Sequence, residues 1–106
     1  MDAAVFYVVR FWVAPEGGDA VIKWLDERHM AEVAHQPGFL WARRIRLDQD
    51  APDGWHAYLN LYGVESRAAL ERYFASADRA RFAEEAKAYA GVLRIERAWG
   101  ELVASA

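Results

Sequence analysis

The stretch VFYVVRFWV, residues 5 to 13, constrains the fold more than any other part of this chain. It is filled by β-branched and aromatic residues and closed by Pro15 and Gly17-Gly18, so it reads as a strand. Successive side chains of a strand point to opposite faces. Val5, Tyr7, Val9, Phe11 and Val13 form one set, and Phe6, Val8, Arg10 and Trp12 form the other. Both sets are largely apolar. A strand that is apolar on both faces is buried on both faces, so the chain must place material on each side of its sheet.

The remaining punctuation supplies one of those layers. Asp19 is a good N-cap, and residues 20 to 35 carry helical spacing up to the stop at Gln36-Pro37-Gly38. FLWARRIRL, 39 to 47, and WHAYLNLY, 55 to 62, read as strands joined by the loop DQDAPDG. Ser66 caps a helix over roughly 67 to 75. A break at Ser76-Ala77-Asp78 starts another helix that runs to Tyr89 or Ala90, with Gly91 at its C-terminal end. VLRIERAWGELV, 92 to 103, is the last strand. The order βαββαβ predicts an α+β fold of ferredoxin-like type, an antiparallel four-stranded sheet with helices on one face. Helices cover only one face of such a sheet. A second copy is the simplest cover for the other, which predicts a homodimer with its two sheets face to face.

At 106 residues the chain reads as a single domain from 1 to 106. Apolar residues make up 55% and aromatics 14%, enough for a core with rings left over for a pocket or an interface. A formal charge of −3 argues against a nucleic-acid partner, since no uniformly basic surface is expected. With no cysteine, disulfides and thiolate chemistry are excluded. No run approaches the ~18 apolar residues of a membrane span, and the N-terminus lacks the basic region of a signal peptide. The expectation is a cytoplasmic protein without a membrane partner.

Asp26, Glu27, His29, Glu32, Val33, Pro37, Gly38, Phe39, Ala42 and Arg43 follow one another as an acidic-x-x-His helix, a Pro-Gly-Phe stop and an Ala-Arg strand. With LYGVESRAALERYF, 61 to 74, this resembles the dimeric α/β-barrel superfamily. The nearest likeness is to a small bacterial family of unknown function. EthD-like proteins, antibiotic-biosynthesis monooxygenases and polyketide-cyclase-type barrels are more distant. The resemblance implies a dimeric α/β barrel and a small-molecule chemistry that the fold alone does not select. Some cyclase relatives carry a histidine before the last strand; SADRARFAEEAKAY here has none.

His29 is the leading candidate for chemistry. Ile22, Leu25, His29 and Val33 share one helical stripe, so His29 lies on the inward face. Asp26 and Glu32, at i−3 and i+3, are placed to orient or charge its imidazole. The functional reading is a general base in an apolar pocket; the structural one is a core histidine satisfied by a neighbour. His35 suits a helix C-terminus. His56, Tyr58, Asn60 and Tyr62 alternate on one face of their strand, either as a set facing a ligand pocket or with only Tyr58 and Asn60 enclosed and His56 and Tyr62 at strand ends in water. Asn60 there is a buried amide that needs partners. Arg44 and Arg46 share a face and can meet an anionic ligand group; the plainer reading is ion pairing with Glu96 or Glu101. Tyr7, Trp12, Trp24, Arg44, Tyr58 and Asn60 are the candidate ligand-contacting residues. His29 and His35 are too far apart around the helix to share a metal, so no metal and no organic cofactor is called for. The favoured reading is a cofactor-independent enzyme, of lyase, isomerase, cyclase or oxygenase type, acting on a small apolar aromatic or polyketide-like molecule. The alternative is a non-catalytic binder, including a haem binder with His29 as axial ligand.

Overall fold

The computed structural model describes residues 2–106. Its elements follow the order β1 (Val5–Val13), α1 (Asp19–Trp24), a π-helical turn (Leu25–His29), α2 (Met30–Ala34), β2 (Phe39–Arg46), β3 (His56–Val64), α3 (Arg67–Phe74), α4 (Ala77–Ala86), a 3-10 turn (Lys87–Tyr89) and β4 (Leu93–Glu101). The strands form one antiparallel sheet in the order β2-β3-β1-β4. This is the ferredoxin-like α+β fold expected from the element order. No helix among the described residues is long and apolar enough to cross a membrane.

β1 lies inside the sheet, between β3 and β4, which is why it carries the most apolar sequence. Its odd-numbered set faces the helices: Val5, Tyr7, Phe11 and Val13 are all buried. In register with it, Tyr58, Asn60 and Tyr62 of β3 and Ile95, Arg97 and Trp99 of β4 share that inner face. The even-numbered set turns to the outer face. Phe6, Val8 and Trp12 there are only half-buried, as are Leu59 and Leu61 of β3.

Two clusters fill the inner layer. One joins Tyr7, Phe39, Tyr62, Leu70, Tyr73 and Phe82; the other joins Phe11, Val13, Val21 and Leu25. Each such side chain contributes about 1.5–3 kcal/mol through the apolar surface it removes from water. Serine caps fix where the second helical layer starts. Ser66 Oγ accepts the Ala69 N–H at 3.1 Å, and Ser76 Oγ accepts the Arg79 N–H at 3.1 Å. Such caps are each worth about 1 kcal/mol. At the first helix the cap position belongs to Gly18 and not to Asp19, which sits in the first turn. A Cβ on Gly18 would run into the Ala14 carbonyl oxygen, 2.2 Å away, so only glycine fits this tight entry.

The helix stop at Pro37-Gly38 has two causes. Gly38 adopts φ +83°, a conformation that side-chain-bearing residues rarely take. It also packs against α3, where a Cβ would lie 2.4 Å from that of Ala69. Its carbonyl accepts the Glu65 N–H at 2.8 Å, tying this turn to the end of β3.

Candidate functional site

Between the two core clusters the layers do not meet. A cavity of about 500 Å³ remains, floored by Tyr7, Val9, Phe11, Asn60, Tyr62 and Arg97. Trp24, Leu25, His29 and Val33 wall one side; Tyr73, Phe74, Arg79 and Phe82 wall the other. Val9 explains part of the space. It stands mid-strand on the inner face where Tyr7 and Phe11 put rings on either side, and its short side chain leaves the gap unfilled.

His29 is set by the π-helical turn. In a continuous α-helix residues five apart are rotated by about 140° and do not meet. A π turn winds more loosely, with i→i+5 bonding, and brings them onto one side. Trp24 and His29 accordingly stack, with ring centroids 4.3 Å apart and planes 6° from parallel. Phe82 meets the imidazole edge-on at 4.8 Å, and Tyr89 stacks on Trp24 at 5.0 Å. The histidine is thus fixed between two aromatic side chains, one of them backed by a third. Its Nδ1 is buried and has no hydrogen-bond partner.

That setting controls its charge. Removal from water disfavours imidazolium and pulls the His29 pKa from 6.5 down to about 4. The charge of Glu32 pushes back, but Arg97, Arg28 and Arg81 add to the lowering. Of the two acid neighbours, Glu32 acts on the ring only through its charge, and neither is hydrogen-bonded to it. Asp26 lies 2.8 Å from the Arg44 guanidinium and is mostly exposed. Glu32 lies 3.6 Å from Arg28 and 3.5 Å from Arg81. Neither lines the cavity. A single turn of helix separates each from His29, but Asp26 is drawn outward by Arg44 of β2, and Glu32 is held between Arg28 and Arg81 with its Oε1 still buried.

Asn60 is 2% exposed and its amide is oriented by its neighbours. Arg44 Nε donates to Asn60 Oδ1 at 3.3 Å, so the amide nitrogen is the end turned to Tyr62 Oη, 3.5 Å away. Burial raises the Tyr62 and Tyr73 phenols well above the usual tyrosine range, so both remain protonated. At neutral pH the cavity therefore offers a neutral imidazole, amide N–H groups, the phenols of Tyr7, Tyr62 and Tyr73, and two guanidinium groups.

Of the candidate contacts, Tyr7, Trp24, His29 and Asn60 line the cavity. Trp12 does not: odd–even alternation puts it on the outer face, under Arg10 at 5.0 Å. Tyr58 shares the inner face but lies beyond the cavity, stacked on Phe11 at 5.2 Å and covered by Arg46. Arg44 holds Asn60 from behind and pairs with Asp26, where Glu96 or Glu101 was expected. Tyr62 is not at a wet strand end; it is 2% exposed in the middle of the aromatic cluster. His56 pairs with Asp50 at 3.2 Å at the far end of β3. The sequence reading missed Arg79, Arg97, Tyr73 and Phe82. One signal was available: Leu93, Ile95, Arg97 and Trp99 alternate as an inner apolar set with one arginine in it. Among the described residues no three His, Asp or Glu side chains converge as a metal site.

The model of the family described as a domain of unknown function, DUF4286, matches residues 4–94. The chain belongs to the DUF4286 family. No curated protein matches it. Solved structures share the fold of this DUF4286 chain. The Streptomyces nogalater protein SnoaB, a cofactor-independent oxygenase, is 25% identical with a TM-score of 0.70, over 97% of this chain and 96% of that one. An EthD-family protein of Bacillus halodurans is 16% identical with a TM-score of 0.63, over 93% and 99%. A Deinococcus radiodurans protein described as a candidate antibiotic-biosynthesis monooxygenase is 12% identical with a TM-score of 0.72, over 96% and 95%.

Proposed function

We infer that the cavity binds a small, largely apolar aromatic or polyketide-like molecule. We further infer that the chain acts on it without a cofactor, using His29 as the proton-transfer group. The observation that carries this reading is the neutral His29 imidazole in the wall of an aromatic cavity. An uncharged ring is the form able to accept a proton. In the step envisaged, an acidic O–H or C–H bond of the ligand breaks, its electron pair stays on the ligand, and the proton moves to the imidazole. Asn60 N–H groups can donate to the oxygen on which negative charge then develops. An imidazolium pKa near 4 makes His29 a weak base in the empty cavity. A ligand anion beside it raises that value, because opposite charge favours the protonated form. The oxygenase activity of SnoaB is consistent with this class of chemistry.

The protein is proposed to work as a homodimer. Phe6, Val8, Trp12, Trp41, Leu59 and Leu61 leave the outer face of the sheet half-covered, although β1 and β3 are its central strands. A second copy of the same face buries that apolar surface.

The alternative is a binder without catalysis. Its support is the sealed Nδ1 and the tight stack on Trp24, which fit a histidine held for packing. Hydrogen–deuterium exchange separates the two. An aromatic 1,3-diketone is incubated in D2O with wild type and with His29→Gln, and loss of the acidic C–H signal is followed by NMR. Enzyme-dependent exchange that the variant loses supports proton transfer. Binding without accelerated exchange leaves the binder. A thermal-shift screen over phenols, aromatic acids and haem identifies the ligand class beforehand.

A further inference from the structure

The cavity is unbalanced in charge. Arg79 of α4 and Arg97 of β4 line it, and no aspartate or glutamate does. Neighbouring cations are already engaged: Arg28 and Arg81 with Glu32 and Glu85, Arg44 with Asp26, and Arg46 with Asp50. Arg79 and Arg97 make no ion pair with a described residue. Arg79 lies over the ring of Phe74 at 4.6 Å. A guanidinium beside an aromatic cavity and without a carboxylate is poised for an external anion, which it can meet with two parallel N–H donors.

The sheet register shows where such an anion sits. Arg44, Asn60, Val9 and Arg97 are direct neighbours in one row across β2, β3, β1 and β4. Arg44 is neutralised by Asp26 at 2.8 Å and turns the Asn60 amide so that its nitrogen faces Tyr62. Arg97 at the other end of the row has no carboxylate partner among the described residues. Adjacent strands are about 4.8 Å apart, so Asn60 and Arg97 are separated by roughly 10 Å of backbone with only Val9 between them. That span suits a flat ring system lying over Val9, with an oxygen acceptor at Asn60 and a negative group at Arg97. The charge of Arg97 also reaches His29, where it contributes to the lowered imidazole pKa.

We propose that the cavity selects an anionic ligand, a planar aromatic carboxylate, phenolate or enolate, with Arg97 as its main counter-charge and Arg79 as the second. This rests on reading the cavity as a small-molecule site. The selectivity also serves the proposed chemistry, since the same two cations stabilise an anion formed by proton loss.

The test compares two probes of the same shape, 2-naphthoate and 2-naphthamide, at pH 7.5. Binding is measured by calorimetry and by quenching of tryptophan fluorescence. The carboxylate is expected to bind about tenfold more tightly than the neutral amide, the order of one charge-assisted contact. Arg97→Gln removes most of that preference without weakening the amide, and Arg79→Gln removes part of it. Circular dichroism checks that both variants are folded. Equal binding of the two probes overturns the anion preference and leaves the small-molecule reading intact. A preference that survives both substitutions overturns the assignment to these arginines. Failure of both probes, and of a wider aromatic set, removes the small-molecule site and the anion preference together.

Discussion

Trp24 and His29 stack face to face at 4.3 Å because a π-helical turn separates them, and the burial that comes with this placement disfavours the charged imidazole. The turn thus sets the direction of the ring and brings it into the buried layer that lowers its pKa. The folded-state pKa of about 4 lies below the ordinary 6.5. Between these values the unfolded chain takes up a proton that the folded chain refuses, so stability falls as pH drops through that window. Above pH 6.5 neither state is protonated and the effect vanishes. The loss on reaching pH 4 is about 3 kcal/mol at most. Urea titrations at pH 7, 5.5 and 4.5 are expected to show this loss for wild type. His29→Phe keeps the stack, lacks the titrating group, and should show a correspondingly flatter profile.

Arg44 and Asp26 form one ion pair with unequal partners. Asp26 is 59% exposed and Arg44 only 18%. Asp26→Ala removes a solvent-facing charge and is expected to cost under about 1 kcal/mol. Arg44→Ala also leaves the buried Asn60 oxygen without its donor, which costs about 1–3 kcal/mol. Thermal denaturation of the two variants should therefore separate clearly. Equal losses would mean that Asn60 finds another partner.

Gly38 combines a positive φ with contact against Ala69. Gly38→Ala adds backbone strain to an overpacked helix contact, for a total of about 2–4 kcal/mol. Gly54 has a similar φ, +90°, but nothing within 4 Å of a Cβ there. Gly54→Ala should cost only the strain, about 1 kcal/mol. Chemical denaturation of the pair isolates the packing part of the Gly38 effect.

The outer face of the sheet is tested by Leu59→Glu. Leu59 is half-buried on that face, beside Arg10 and Ile45 in the register. A charge there leaves the helix-side core untouched but cannot be buried against a second sheet. Light scattering is expected to report a dimer for wild type and half that mass for the variant, with unchanged far-ultraviolet circular dichroism. A wild-type monomer, or a variant that still dimerises, shows that this face is not the interface.

Much of the fold was written in local periodicity. The alternation of residues 5 to 13 defined two apolar sets, and turn and cap residues divided the rest of the chain into βαββαβ. These signals are short-range: a strand alternates and a serine caps whatever lies beyond. His29 and Asn60 were legible for the same reason, as polar residues in otherwise inward-facing series.

Tertiary packing decided the remainder. Which set of β1 would meet the helices was open until the sheet paired, and that choice brought Tyr7 to the cavity and put Trp12 outside it. Asp26 and Glu32 are a helical turn from His29 in sequence, yet Arg44 of β2 draws Asp26 to the surface, and Glu32 pairs with Arg28 and Arg81, reaching the ring only through its charge. Arg79 and Arg97 come from different elements and are brought to one cavity only by the packing of α4 over the sheet. A cavity is the place where two layers of side chains fall short of each other. It depends on the packing distance between layers, so no single segment of sequence contains it.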